Sequence, residues 1–281
     1  MHIKHTYILL FAFVLAGKVN AQDSLTKDIP LPNSFNLGVH LNIGDTYTFH
    51  STYQEKITQT IMGSPLEGNQ DIVTTLLLEV SDIQENRINL ITTIQHIEIE
   101  NSTGVTPITY SSEDTTSGPM DYLNGLIGQS FLITINRQGK LLESETIQDL
   151  FNTVEADEGS ILFGHRFIES IISNALYIYK DHTVEIGETW NNPENITVSR
   201  TLTIPQNVQY TLESLSEDLI WLNVSSTDNL NPQSIQGNYE IDRLTGLISY
   251  GTAHYEILEE KEETPAKIEI DHTIEISKQS D

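Results

Sequence analysis

The sequence predicts a mainly β protein of the α+β class, with long curved antiparallel sheets in two related lobes and a helical insert between them. Two observations carry this prediction. Apolar and polar residues alternate over long stretches, which is typical of strands with one buried face. The stretch Ile43-Gly44-Asp45-Thr46-Tyr47 also returns 143 residues later as Ile186-Gly187-Glu188-Thr189-Trp190, and such internal similarity indicates a repeated unit.

Residues 1–21 have the layout of a secretory signal peptide. Lys4 and His5 precede an apolar run from Tyr7 to Ala16, and Val19-Asn20-Ala21 supplies the small residues of a cleavage site. The apolar run is too short to span a bilayer. We therefore expect an exported protein, periplasmic or at the cell surface after cleavage near Ala21, with no transmembrane segment in the mature chain.

The composition excludes several classes of function. The chain has no cysteine, which excludes disulfide bonds, thiol catalysis and cysteine-ligated zinc. It carries 14 Lys and Arg residues against 40 Asp and Glu residues, a formal net charge of −26. Because nucleic acids are bound through clustered basic residues, this balance excludes a nucleic-acid partner.

The first half of the mature chain divides into an extended arm, residues 22–40, and a first β lobe, residues 41–144. The long strand that begins at Tyr47 is followed by a return strand and a third strand, whose apolar phase slips near Gln95-His96 and predicts a bulge. Residues 101–128 are rich in Ser, Thr, Gly and Pro, and this composition predicts a long loop with a short helical piece at residues 120–126.

Two amphipathic segments, residues 146–154 and 166–179, predict the helical insert at residues 145–181. The second β lobe follows at residues 182–281. Its segment Tyr239–Ile248 repeats the strand-turn-strand pattern of Ile135–Leu141. The last strand, residues 267–277, places four isoleucines inward and acidic residues outward, and we expect it to be an edge strand protected by those acids.

No catalytic, cofactor-binding or metal-binding motif appears in the sequence. The histidines show none of the spacings of a zinc site, although His50 and His96 lie on strands that could bring them together across a sheet. There is no nucleophile elbow, P-loop or dinucleotide-binding fingerprint. Carboxylate pairs are too numerous among 40 acids to identify a glycosidase-like site. We therefore expect no catalytic residues, no cofactor and no metal.

Five aromatic residues are candidates to line a ligand cavity, although aromatic residues at inward positions more often form plain core. They are Tyr47, Phe49, Tyr53, Trp190 and Trp221.

The order of several short motifs resembles an uncharacterised family of exported β-rich proteins of Gram-negative bacteria. The motifs are the two G-[DE]-x-[YW] strand openings, Ile61-Met62-Gly63, Leu126-Ile127-Gly128-Gln129-Ser130-Phe131, and the helical middle that leads to Val184–Trp190. The resemblance covers residues 40 to 277 and implies an exported, β-rich architecture. The family has no established activity and no catalytic residues to carry over to this chain. In layout the chain is more distantly similar to half-barrel lipoprotein and lipid carriers.

From these observations we expect a non-enzymatic binding module in the periplasm or at the cell surface. Its partner would be an apolar small molecule, a lipid or an apolar segment of an envelope protein, held between a concave sheet and the helices. Two alternatives stay open. One is a structural or interaction protein of the cell envelope with a filled core, and the other is a hydrolase that uses a pair of acids.

Overall fold

The computed structural model describes residues 34–61, 64–102, 107–113, 121–144, 168, 170–180, 183–197, 203–226, 233–259 and 266–279. The predicted signal peptide and the predicted helix at residues 146–154 lie outside these ranges. The described chain is mostly β-strand with a single α-helix, α1, at residues 168 and 170–176, which confirms the mainly β prediction. No helix in the described ranges is long and apolar enough to cross a membrane.

Fourteen strands form the described β structure. They are β1 (Ser34–Asn36), β2 (Thr46–Ile61), β3 (Ser64–Gln84), β4 (Arg87–Asn101), β5 (Ile108–Ser111), β6 (Ser130–Asn136), β7 (Leu141–Glu143), β8 (Thr183–Glu185), β9 (Thr189–Thr197), β10 (Thr203–Leu215), β11 (Leu219–Ser226), β12 (Gln233–Asp242), β13 (Ile248–Glu259) and β14 (Ala266–Lys278).

Twelve of the strands form one antiparallel sheet in the order β7-β6-β4-β3-β2-β14-β13-β12-β11-β10-β9, with β5 paired to β4. The other two strands, β1 and β8, pair with each other. The first long strand and the last strand are neighbours at the centre, with Tyr53 opposite His272 and Phe49 opposite Ile276. The strands that the sequence divides between two lobes therefore lie in one continuous sheet.

The central position of β14 corrects the expectation that the closing strand is an edge strand. It pairs with β2 on one side and β13 on the other. Its outward acids therefore lie on the solvent-exposed face and do not protect a free edge. The alternation identified which residues face inward, but it contains no information about the two neighbours of a strand.

One face of the sheet is buried along nearly every strand, and we call it the inner face. Directly opposed residues on neighbouring strands point to the same side, as for Leu76 opposite Phe49 and Tyr239 opposite Leu222. Most inward positions are buried, whereas most positions between them are half-buried or exposed. The predicted bulge is present, because the β3–β4 register shifts between His96 and Ile94.

One end of the sheet carries the turns that precede β2 and β9 and the β12–β13 turn, and we call it the turn end. A short arm, residues 37–41, crosses this end. Its Val39 amide donates to Arg137 O at 2.7 Å, and its His40 amide donates to Thr245 O at 2.7 Å. The arm therefore connects the two strand-turn-strand segments that resemble each other in sequence.

Two glycines allow close backbone packing at this end. Gly139 has φ +79° and Gly246 has φ +70°, a region that L side chains rarely adopt. A Cβ on Gly139 would lie 1.7 Å from Leu176 O at the end of α1, and one on Gly246 would lie 1.9 Å from Gly38 O in the arm. Both positions thus require glycine for conformation and for space.

The helix is shorter than the sequence predicts. It ends at residue 176 and not near Tyr179, and the chain turns away there, with the Ile178 amide donating to Leu176 O at 3.1 Å. Backbone carbonyls after the helix accept hydrogen bonds from β9. Trp190 Nε1 donates to Ile178 O at 2.8 Å, and Asn192 Nδ2 donates to Tyr177 O at 3.1 Å. Within the predicted long loop, residues 121–126 form a 3₁₀ helix near the expected place, and β5 is an additional strand that the sequence did not predict.

Candidate functional site

The two copies of the opening motif form the same hydrogen-bonded turn. Gly44 and Gly187 both have φ +88°, as a tight turn before a strand requires. The Gly44 amide donates to Val80 O at 2.8 Å, and the Gly187 amide donates to Leu212 O at 2.8 Å. The turns thus start β2 and β9 against their neighbouring strands in the same way.

The acid of each turn has a structural role. Asp45 accepts hydrogen bonds from Asn42, Tyr47 and Lys278, the last at 2.6 Å. The Lys278 ammonium is the main reason that the pKa of Asp45 lies below its ordinary value. In the second copy Glu188 Oε2 accepts from the Glu185 amide at 3.1 Å. These acids thus satisfy donors of the turns and of the strands beside them.

Four of the five candidate aromatic residues lie on the inner face, and one does not. Tyr47, Phe49, Tyr53 and Trp190 are buried. Trp221 is half-buried between Ile220 and Leu222, which are both fully buried. Because successive side chains of a strand point to opposite faces, Trp221 lies on the outer face and does not belong with the other four. Whether those four contact a ligand stays a prediction.

A group of polar side chains lies within the apolar inner face, at the junction of β2 and β14. It consists of Ser51, Tyr53, Glu55 and His272, and we call it the inner polar cluster. All four are buried, and Glu55 is only 2% exposed. Ser51 Oγ lies 2.9 Å from His272 Nε2, and Tyr53 Oη donates to Glu55 Oε2 at 3.1 Å. The Tyr53 and His272 rings meet edge to face with centroids 6.3 Å apart.

Glu55 is a buried acid without a countercharge among the described residues. Its one hydrogen-bond partner in the described ranges is Tyr53, and its opposite neighbour on β14 is Ile270. Burial is the main cause that raises the pKa of Glu55 to about 7, and the Tyr53 hydrogen bond opposes it. Near neutral pH this carboxyl group therefore exchanges between its neutral and ionised forms.

His272 is held in its neutral form by burial. Desolvation lowers the pKa of His272 to about 4, so the imidazole is uncharged at neutral pH and supplies no positive charge to Glu55. Burial likewise raises the pKa of Tyr53 well above its ordinary value, and the neighbouring Glu55 adds to that effect. At neutral pH the cluster thus has two hydroxyl groups, a neutral imidazole and one carboxyl group that can become negative.

The inner polar cluster lies close to the place where the inner face becomes accessible to solvent. On β2 the next inward position after Glu55 is Ile57, which is half-buried, and Gln59 after it is half-buried as well. On β14 the inward position opposite Gln59 is Ala266, which is also half-buried. This region is at the end of β2 opposite to the turn end. Glu55 is thus one inward position away from solvent.

His50 and His96, which the sequence suggested could meet across a sheet, both lie on the outer face. His50 lies opposite Thr75 on β3, and Thr75 lies opposite His96 on β4. His50 Nδ1 is 3.1 Å from Thr75 Oγ1, and His96 Nδ1 is 2.8 Å from Ser112 Oγ. The two histidines are therefore separated by one strand and do not pair with each other.

One outer-face group in the described ranges has donor atoms close enough for a metal. His254, Glu256 and Glu269 place one ligand atom each within 4.8 Å of one another. The Lys267 ammonium already contacts both glutamates, at 3.4 Å from Glu256 and 2.9 Å from Glu269. Lys267 thus supplies the positive charge there, and the arrangement is an ion-pair cluster on the sheet surface.

The comparisons with known proteins identify a family and no function. The sequence model of a family of unknown function, DUF6263, matches residues 85–248, more than half of the chain. Among proteins with curated descriptions, none matches.

Two solved structures resemble the chain at low similarity. A structure of lipovitellin, described for its lipid-protein interactions, is 11% identical with a TM-score of 0.47, and the match covers 86% of this chain and 26% of lipovitellin. The chain thus spans about a quarter of that protein. The translocator domain of the autotransporter NalP from Neisseria meningitidis is 8% identical with a TM-score of 0.30, and the match covers 84% of this chain and 89% of that domain. At these scores neither likeness assigns a function to this chain.

Proposed function

The chain belongs to DUF6263, a family of unknown function, and we propose that it is a non-enzymatic binding protein for an apolar ligand that carries a polar group. The apolar part of the ligand would lie along the inner face, and its polar group would contact the inner polar cluster. The observation that carries this proposal is Glu55, a carboxyl group buried in an apolar face without a countercharge in the described ranges.

A buried acid of this kind lowers the stability of a core that serves only to fold the chain. Removing a carboxyl group from water without a charged partner is unfavourable, and an apolar side chain of similar size avoids that cost. Titratable groups with strongly shifted pKa values in otherwise apolar surroundings are for this reason candidates for functional sites. The position of Glu55 next to the accessible end of the inner face agrees with such a role.

A second candidate function is supported by the packing of the inner face. Most inward side chains of the described strands are almost fully buried, and those of β9, β10 and β12 include the aromatic series Trp190, Tyr210 and Tyr239, with centroids 5.9 Å and 6.2 Å apart. Such packing is typical of a filled core. A structural or interaction protein of the cell envelope is therefore the alternative, and it would bind a protein partner at an edge strand.

Export is part of the proposal and depends on the sequence of residues 1–21. The basic flank, the apolar run and the small residues before position 22 suit a signal peptide. Mass spectrometry of the protein recovered from its native host would test export. We expect a mature N-terminus near Gln22, and an intact Met1 in the accumulated protein would contradict it.

The ligand proposal is tested on protein purified from its native host. Native mass spectrometry should show added mass on the mature chain, and organic extraction should release an amphiphilic molecule. Two adjacent substitutions make the test specific to the inner face. Ile57→Trp adds bulk at the half-buried inward position beside Glu55, whereas Lys56→Trp adds it on the exposed outer face.

We expect the Ile57→Trp protein to lose the added mass and the Lys56→Trp protein to keep it. If the wild-type protein carries no ligand and cross-linking in cells captures one dominant protein, the filled-core alternative is correct. If both variants keep the ligand equally, the ligand does not occupy the accessible end of the inner face.

A further inference from the structure

We propose that the ligand is a cationic amphiphile, an apolar molecule with a protonated amine, whose ammonium group pairs with the carboxylate of Glu55. This inference depends on the proposed function and specifies the chemical class of the ligand. It follows from the groups that surround Glu55 and from the charge of the whole chain.

Among the described residues Glu55 has no positively charged partner, and the cluster around it offers hydrogen-bond groups to a bound ammonium. From its own strand Glu55 is next to Tyr53 and Ile57 at inward positions, and from β14 it faces Ile270 and the neutral His272. On β3 its opposite neighbour is Gln70. In the described part of the chain, the titratable groups at these positions are therefore Tyr53 and His272, both uncharged at neutral pH. An ammonium would supply the positive charge that this cluster lacks among the described residues.

The charge of the chain favours the same class of ligand. With a formal net charge of −26, the protein repels carboxylate and phosphate head groups and attracts cations. An anionic head group beside Glu55 would also place two negative charges in an apolar site, which is unfavourable unless one is neutralised. A fatty acid or an anionic lipid is thus the wrong ligand for this cluster, whereas an amine matches both the local and the overall charge.

Binding of an ammonium requires Glu55 to be ionised, so binding should depend on pH. When the carboxyl group is protonated, its proton must leave before the ion pair forms. The fraction of ionised Glu55 rises through neutral pH because burial raises its pKa to about 7. Apparent affinity is proportional to the fraction of protein in the competent form, so we expect about tenfold tighter binding at pH 8 than at pH 6.

Three probes with the same twelve-carbon chain test the inference by isothermal titration calorimetry on the full mature protein. Dodecylamine is cationic, dodecanol is neutral, and dodecanoate is anionic, and all are used below their aggregation concentrations. We expect dodecylamine to bind at least tenfold more tightly than either of the others at pH 8. In Glu55→Gln this preference should disappear, because dodecylamine loses its carboxylate partner and should bind no more tightly than dodecanol.

The matched control is Glu100→Gln. Glu100 is an exposed acid on the outer face of β4, so its replacement removes the same charge without altering the inner face. The preference of the Glu100→Gln protein for dodecylamine should therefore equal that of the wild type. Equal or tighter binding of dodecanol or dodecanoate to the wild type would overturn the inference and leave the proposed function intact. No binding of any probe, together with no co-purifying molecule, would overturn both.

Discussion

Replacing Glu55 by Gln should change the pH dependence of stability in a defined direction. Glu55 is buried, and burial raises its pKa from an ordinary value of 4.5 to about 7. The unfolded chain therefore loses this proton between pH 4.5 and 7, while the folded protein retains it. An acid with a raised pKa in the folded state favours folding at low pH and opposes it as the pH rises.

The size of the effect follows from the same two values. For each pH unit between pH 4.5 and 7, ionisation of Glu55 in the unfolded chain lowers the free energy of unfolding of the wild-type protein by about 1.4 kcal/mol. The total loss of stability reaches about 3 kcal/mol above pH 7. The amide side chain of the Glu55→Gln variant cannot ionise in either state and has no such penalty. The free energy of unfolding of this variant, relative to wild type, should thus rise by about 3 kcal/mol from pH 4.5 to pH 8.

Urea unfolding measures this difference, with fluorescence of the buried Trp190 as the signal. Both proteins are unfolded at several pH values between 4.5 and 8, and only the difference between them is interpreted. Contributions from the other acids are common to both proteins and cancel. Glu100→Gln, on the exposed outer face, controls for the loss of one negative charge.

The reasoning about Glu55 is refuted if the difference between variant and wild type is constant over this pH range. It is also refuted if Glu100→Gln gives the same profile, because the effect would then come from the net charge of the chain. A difference that decreases as the pH rises would show that Glu55 has a charged partner in the folded state.

Three further predictions concern the cluster and the packing around the inner face. The His272→Asn variant should be most stable relative to wild type near pH 4 and should lose about 3 kcal/mol of that relative stability by pH 6.5. The reason is that burial lowers the pKa of the imidazole from 6.5 to about 4, so that at low pH only the unfolded wild-type chain takes up the proton. Urea titrations at both pH values measure this difference, and a difference that does not change with pH would contradict it. Gly246→Ala should lower the free energy of unfolding by roughly 3 kcal/mol or more, since the new Cβ would overlap a backbone carbonyl of the arm. Gly187→Ala is the control, because a Cβ there has open space and should cost only about 1 kcal/mol of backbone strain. Equal losses in thermal unfolding would show that the arm does not pack against Gly246. Trp190→Phe should lower the free energy of unfolding by about 2 kcal/mol, because a buried backbone carbonyl loses its hydrogen-bond donor. Trp221→Phe, on the outer face, should lower it less. Chemical denaturation of both variants measures the two losses, and a larger loss for Trp221→Phe would contradict the assignment of faces.

The fold class and the facing of most side chains could be predicted because alternation is a local property of a strand. The same alternation contained a sign of the inner polar cluster. In β2 the apolar series Tyr47, Phe49, Tyr53 and Ile57 is interrupted at two positions that are in phase with it, Ser51 and Glu55. In β14 the isoleucine series is interrupted in the same way by His272. A polar residue in phase with a buried face is the sign in the sequence that such a cluster leaves.

Other features could not be predicted because they depend on pairing between distant strands. Ser51 and His272 are separated by 221 positions, and nothing in either strand specifies that the two are neighbours. The assumption that β14 is an edge strand was wrong for the same reason. Trp190 and Asn192 of β9 likewise bind the carbonyls that follow α1, and nothing in the helical segment specifies these contacts.

The pairing of β2 with β14 has a consequence for the order of folding. The sheet joins the beginning of the described chain to its end, from Tyr47 opposite Lys278 to Gln59 opposite Ala266. Contacts between such distant segments form slowly, because a long loop must close first. A chain that is still being synthesised has no partner for β2 on this side until residues 266–278 have been made. Because His272 arrives with β14, the inner polar cluster is completed only when this strand pairs with β2. A chain cut before residue 266 should therefore lack the binding that we propose.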